Sequence, residues 1–74
     1  MTLESQLEAI LFWYAEPVAI KDLSKALELP EDAVKTALES LGMALKGRGI
    51  SVVMHDGEVS LRTNPEASSL IEKL

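Results

Sequence analysis

Ile50-Ser51-Val52-Val53-Met54-His55-Asp56-Gly57-Glu58-Val59-Ser60-Leu61-Arg62-Thr63 reads as a β-hairpin. Ile50, Val52 and Met54 alternate with Ser51, Val53 and His55, the period-2 pattern of a strand with one buried face. Val59, Leu61 and Thr63 alternate in the same way on the return. Asp56-Gly57 between them is a favoured pair for a type I′ turn. Folding about that pair sets Met54 opposite Val59, Val52 opposite Leu61 and Ile50 opposite Thr63. All six then share one face, so turn chemistry and hydrophobic pattern specify the same register.

Upstream the period changes to that of helices. Thr2 can cap a first helix with Glu4 in its first turn. Leu3, Leu7, Ile10, Leu11 and Tyr14 recur on one face, and Glu16-Pro17 ends it, because proline disfavours helical geometry in the residue before it. A short second helix runs from Ile20 to Leu27, with Ile20, Leu23 and Leu27 inward. Glu28-Leu29-Pro30 turns the chain. Pro30 is expected to open a third helix whose inner stripe is Val34, Leu38, Leu41 and Leu45. Gly47 or Gly49 should end that helix in a left-handed cap. Gly42 inside it costs about 1 kcal/mol against alanine unless something packs close by. After the hairpin, Asn64-Pro65-Glu66 reads as a cap, a first helical position and a first-turn acid, leading into a last short helix with Leu70, Ile71 and Leu74.

The predicted fold is mainly α with a small β-hairpin: a winged helix-turn-helix of three helices, a two-stranded wing and a short C-terminal helix. The 74 residues are read as one domain. A domain this small buries only about 60% of the surface of its unfolded chain, and many gain stability by oligomerising. Hydrophobic residues make up 47% of the chain, too many for disorder. The three aromatics, Phe12, Trp13 and Tyr14, are consecutive and cannot all enter one core. No cysteine is present, so neither a disulfide framework nor a thiolate metal site is available. The first residues, Met1-Thr2-Leu3-Glu4, do not read as a secretory signal, and no apolar run nears the roughly 20 residues of a membrane helix. The expected location is the cytoplasm, with no membrane contact.

The net charge of −5 belongs to the helical part, since basic and acidic residues cancel from Lys46 onward. The outward face of the third helix would carry Asp32, Lys35, Thr36, Glu39, Met43 and Lys46, whose charges also cancel. A recognition helix usually offers Arg, Lys, Asn or Gln to base edges. The wing tip, His55-Asp56-Gly57-Glu58, would meet phosphates badly. Against this, Lys46, Arg48 and Arg62 near the strand ends are candidates for a weak nucleic-acid patch. The balance argues against direct DNA binding.

Enzymatic chemistry has still less support. His55 is the single histidine and reads as a solvated residue beside a turn. No nucleophile–base pair, metal-ligand spacing or phosphate loop is present, so no catalytic, metal or cofactor residue is assigned and no cofactor is expected. Gly47-Arg48-Gly49 reads as a helix end leading into a strand. Protein contact is the remaining class. Trp13 is the leading candidate for an interface, with Phe12, Met43 and Val53 beside it, because tryptophan is enriched at hot spots. Two placements of Trp13 stay open: exposure at an interface, or packing against the chain that follows the first helix.

The sequence also resembles a known family, the N-terminal winged-helix domain of ScpB, a bacterial segregation and condensation protein. The resemblance is carried by Leu7-Glu8-Ala9-Ile10-Leu11-Phe12, Ala15-Glu16-Pro17-Val18, Leu23-Ser24-Lys25-Ala26-Leu27, Gly47-Arg48-Gly49-Ile50 and Leu61-Arg62-Thr63-Asn64-Pro65-Glu66. It covers nearly the whole chain, in order. Trp13 and Tyr14 depart from the pattern, standing where it expects small residues. Ala19 and Pro30 replace the hydroxyl caps common before helices two and three. The resemblance favours Phe12 over Trp13 as the aromatic that fills the core from the side.

It implies a self-associating subunit of the SMC-ScpA-ScpB complex, acting in chromosome condensation and segregation. The expected partners are a second copy (a homodimer), the kleisin ScpA and SMC, which would place the protein at the nucleoid. Family members carry a second winged helix, which is expected to be absent here, since Leu74 falls where the first domain should end. The alternative is the DNA-binding winged helix of a transcription regulator.

Overall fold

The computed structural model describes all 74 residues, Met1–Leu74. A two-residue strand, β1 (Val18–Ala19), precedes the hairpin in the chain, and the hairpin itself consists of β2 (Ile50–His55) and β3 (Glu58–Thr63). The register is the expected one, with Ile50 opposite Thr63, Val52 opposite Leu61 and Met54 opposite Val59. Asp56 and Gly57 have φ of 51° and 76°, the two positive values that a type I′ turn requires.

Three helices precede the hairpin: α1 (Leu3–Trp13), α2 (Ile20–Leu27) and α3 (Glu31–Ala44). The Thr2 side chain accepts a hydrogen bond from the Ser5 N–H and caps α1. Neither α2 nor α3 has a side-chain cap, consistent with Ala19 and Pro30 at those positions. Pro30 is the extended N-cap of α3 rather than its first helical residue. At the other end α3 stops at Ala44, and Gly47 takes the left-handed conformation, φ 79°. Over Gly42 lies Val52, whose Cβ would stand 3.9 Å from an added Cβ, an ordinary contact that does not demand glycine. Asn64 caps the 3₁₀ turn Pro65–Ala67 by accepting from the Glu66 N–H, and α4 (Ser68–Glu72) follows.

The wing has a third strand. Val18–Ala19 form β1, which pairs with β3 in the order β1-β3-β2. The Ile20 N–H donates to Gly57 O at 2.9 Å, tying the start of α2 to the turn. As the central strand, β3 buries Val59 completely, whereas Met54 opposite it on the edge strand is 44% exposed.

The core holds nine apolar side chains: Leu7 and Leu11 of α1, Ile20 and Leu23 of α2, Val34, Ala37, Leu38 and Leu41 of α3, and Val59. Leu3, Ile10, Val52, Leu61 and Leu45 pack at its margin. Ser60 is buried on the other face of β3 and accepts from Arg62 Nε at 3.2 Å.

Two inward placements are corrected. Periodicity sets Tyr14 on the face of Leu3 and Leu7, but α1 stops one residue earlier and Tyr14 is its extended C-cap, ψ 112°. Helical spacing no longer governs its direction, and its side chain is exposed. Phe12 does not fill the core from the side: it is 82% exposed. At 3.6 residues per turn it sits about 140° around the helix from Leu7. The chain is elongated, 42 × 21 × 21 Å, with a radius of gyration of 12.7 Å, against about 11 Å for a compact domain of this length. Leu70 and Ile71 of α4 remain exposed.

Alanine at Gly57 would force a Cβ into the left-handed region, and Gly57→Ala is expected to cost about 1 kcal/mol in urea unfolding. Gly49→Ala, where no positive φ applies and no atom lies within 4 Å of the added Cβ, is expected to be neutral or slightly stabilising. Equal midpoints for the two variants would refute the turn's role.

Candidate functional site

The apolar surface left over by the core collects on α1. Phe12 and Trp13 are 82% and 80% exposed, and Tyr14 is more than half exposed. Phe12 lies about 140° from Leu7 in one sense and Trp13 about 120° in the other. Their exposure follows from helix geometry once Leu7 and Leu11 point inward. The alternative placement of Trp13, packed against the following chain, does not occur.

Phe12 is also one wall of a groove. Ser5, Glu8, Ala9 and Phe12 form a second stripe on α1 with spacing i, i+3, i+4, i+7, and this stripe faces the open end of the hairpin. Ile50, Leu61 and Arg62 supply the opposite wall, and the groove encloses about 660 Å³. The small side chains of Ser5 and Ala9 leave the depth; Phe12 and Ile50 give it apolar rims. Its lining has one carboxylate, Glu8, and one guanidinium, Arg62. Neither forms an ion pair within the chain; the one close contact between an acid and a basic side chain is His55 Nε2 with Asp56 Oδ2 at 3.1 Å.

The other named residues are scattered. Met43 is 71% exposed on α3, and Val53 is partly exposed on β2. Neither lines the groove, nor does Trp13, so of the four interface candidates only Phe12 belongs to it. Lys46, Arg48 and Arg62 are all exposed. Asn64 ties the start of β2 to the end of β3, donating from Nδ2 to Arg48 O at 2.9 Å and from its backbone N–H to Gly49 O at 2.7 Å. Arg48 and Arg62 therefore belong to the hairpin's open end, whereas Asp56 and Glu58 hold its tip. On α3, the exposed acids Asp32 and Glu39 share the helix with exposed Lys35, whereas Lys46, expected on the same face, lies beyond the helix, which stops at Ala44.

The groove residues Glu8, Ala9 and Ile50 do not stand out as a site in the sequence. The stripe Ser5-Glu8-Ala9-Phe12 is legible there as a second helical face, but Ile50 reads as part of the hairpin's inner face. No group of three His, Asp or Glu side chains is placed to hold a metal ion. No helix is long and apolar enough to cross a membrane.

Residues 5–74 match the family described as segregation and condensation complex subunit ScpB. The chain is similar to segregation and condensation protein B of Clostridium botulinum (strain Hall), 38% identical over 73 residues, covering 96% of this chain and 38% of that protein. It is similar also to segregation and condensation protein B of Caldanaerobacter subterraneus subsp. tengcongensis, 35% identical over 75 residues, covering 99% of this chain and 45% of that protein. The chain thus spans about two fifths of the length of the curated relatives it matches.

Among solved structures, it resembles a dimer of the ScpB N-terminal domain complexed with an ScpA peptide, with a TM-score of 0.87 and 27% identity over 96% of this chain and 85% of that one. ScpB from Mycobacterium tuberculosis gives a TM-score of 0.88 at 27% identity, over 96% of this chain and 46% of that one. A match that runs from the first helix through α4, in sequence and in fold together, means that the chain belongs to the ScpB family of segregation and condensation complex subunits.

Proposed function

We propose that this winged helix is a protein-interaction module of an SMC-ScpA-ScpB complex, associating with a second copy of itself and with the kleisin ScpA in chromosome condensation and segregation. One observation carries the reading: the exposed aromatics Phe12 and Tyr14 border an apolar groove that the chain's own core does not fill, and Trp13 between them is exposed outside it. Exposed apolar area of this kind marks interaction sites in soluble proteins. Family membership supplies the partners, because a related N-terminal domain is a dimer bound to an ScpA peptide. A winged helix-turn-helix domain of 74 residues with no catalytic constellation fits such a role. The same reading puts its site of action in the cytoplasm, at the nucleoid.

The regulator alternative depends on DNA contact, and the electrostatics oppose it. The outward face of α3 mixes acids with lysines, the wing tip holds Asp56 and Glu58, and the chain carries −5 overall. Affinity for the phosphate backbone needs a concentration of positive charge. Fold likeness alone does not decide function.

Light scattering at micromolar concentration is expected to give a dimer; a monomer at every concentration contradicts the self-association. Trp13→Ala is expected to weaken association roughly tenfold, the scale of a hot-spot truncation, and to leave thermal unfolding unchanged because the side chain lies outside the core. An unchanged dissociation constant takes Trp13 out of the contact. Titration with duplex DNA at physiological salt is expected to show no tight binding. Tight binding abolished by Arg48→Ala or Arg62→Ala reverses the conclusion in favour of a regulator.

A further inference from the structure

We infer that Asn64 is a latch: it alone sets the direction in which α4 leaves the domain, and its release frees α4 while the core stays folded. Asn64 stands between β3 and the 3₁₀ turn. Its backbone N–H donates to Gly49 O at 2.7 Å and its Nδ2 to Arg48 O at 2.9 Å. Its Oδ1 accepts from the Glu66 N–H at 2.9 Å. One amide side chain thus faces two ways, gripping the entry of β2 with its donor and the start of the 3₁₀ turn with its acceptor. The partners fix which atom is which: a carbonyl on one side needs the NH₂, and an N–H on the other needs the oxygen. Pro65 behind it holds Asn64 extended, with φ −61° and ψ 129°.

No second tie competes with this one. Every hydrogen bond between residues 64–74 and the rest of the chain starts at Asn64. The other bonds of the segment stay inside it, such as Ala67 N–H to Asn64 O, Ser68 Oγ to Pro65 O and Leu74 N–H to Ile71 O. No ion pair reaches Glu66, Glu72 or Lys73. Neither the 3₁₀ turn nor α4 has a buried residue, and within them only Ala67 is half-buried. Leu70 and Ile71, which would have to pack if apolar contact held the helix, are exposed. A helix of five residues has little stability of its own. The direction of α4 therefore follows the Arg48–Gly49 stretch that leads into β2, rather than the core.

A distance measurement tests the latch. The chain has no cysteine, so Glu58→Cys at the start of β3 and Glu72→Cys in α4 give two unique, exposed sites for spin labels. Pulsed dipolar spectroscopy, with the labelled chain diluted into unlabelled chain, is expected to show one narrow distance distribution. Asn64→Asp keeps the acceptor for Glu66 and the backbone donor, but sets an oxygen against Arg48 O in place of Nδ2. It is expected to raise the fraction outside that distribution at least about fivefold, the weight of one hydrogen bond. The core amides of Leu38 and Val59 are expected to keep their protection from hydrogen exchange. Leu70→Ala, which removes apolar surface from α4 and no bond to the body, is expected to leave the distribution unchanged.

An unchanged distribution in Asn64→Asp overturns the latch, as does a wild-type distribution already as broad as the variant's. Broadening by Leu70→Ala shows that apolar packing holds α4 and overturns the claim that Asn64 acts alone. Loss of core protection or of folding in Asn64→Asp makes Asn64 a support of the whole domain and overturns the independent release of α4.

Discussion

Leu7 and Leu11 of α1, Leu23 of α2, Leu38 of α3 and Val59 of β3 meet in a core that closes on nine apolar side chains. Its capacity governs the rest of the molecule. Three helices and one face of a hairpin fill it. A hydrophobic content of 47% exceeds what nine positions can hold. The surplus has to lie outside, and helix geometry decides where: with Leu7 and Leu11 inward, Phe12 and Trp13 are carried to the far side of α1. The exposed aromatic surface is thus a consequence of the packing that stabilises the fold.

Sheet topology adds a second asymmetry. β3 lies between β1 and β2, so Val59 is shielded from both sides while Met54 and Ile50 on the edge strand stay partly open. At the open end of the hairpin this leaves an apolar wall opposite the small residues of α1. The groove exists because Ser5 and Ala9 cannot fill the space between α1 and that wall. Its mixed Glu8 and Arg62 lining contrasts with the acidic character of the helical half.

The winged-helix form invites a DNA-binding reading, and the charges on α3 and the wing tip weigh against it. A recognition helix with compensating charges and a wing tip with two acids offer phosphates little. The fold positions two surfaces, the outer face of α3 and the α1–hairpin groove, and the chemistry of their residues separates them. The ScpB family match agrees with the residue-level argument, since it too points to protein assembly.

Local signals in the sequence determined the hairpin register, the bounds of α2 and the inward stripe of α3. Each rests on a short-range pattern: the positive φ of Asp56-Gly57, a 3.6-residue period, or alternation over six residues. β1 escapes such patterns because two residues carry no period and its pairing of Val18 with Val59 spans about forty positions of chain. Tyr14 is misplaced by periodicity, which holds only while the helix continues, and α1 stops at Trp13. Phe12 is misplaced because the resemblance, rather than its angle on the helix, points it inward. The candidate site is legible in part: Phe12 and Trp13 stand out by composition, whereas the groove joins residues some forty or fifty positions apart. Only tertiary packing could set Glu8 and Ala9 against Ile50 and Arg62, because a groove is the space that two packed elements fail to fill.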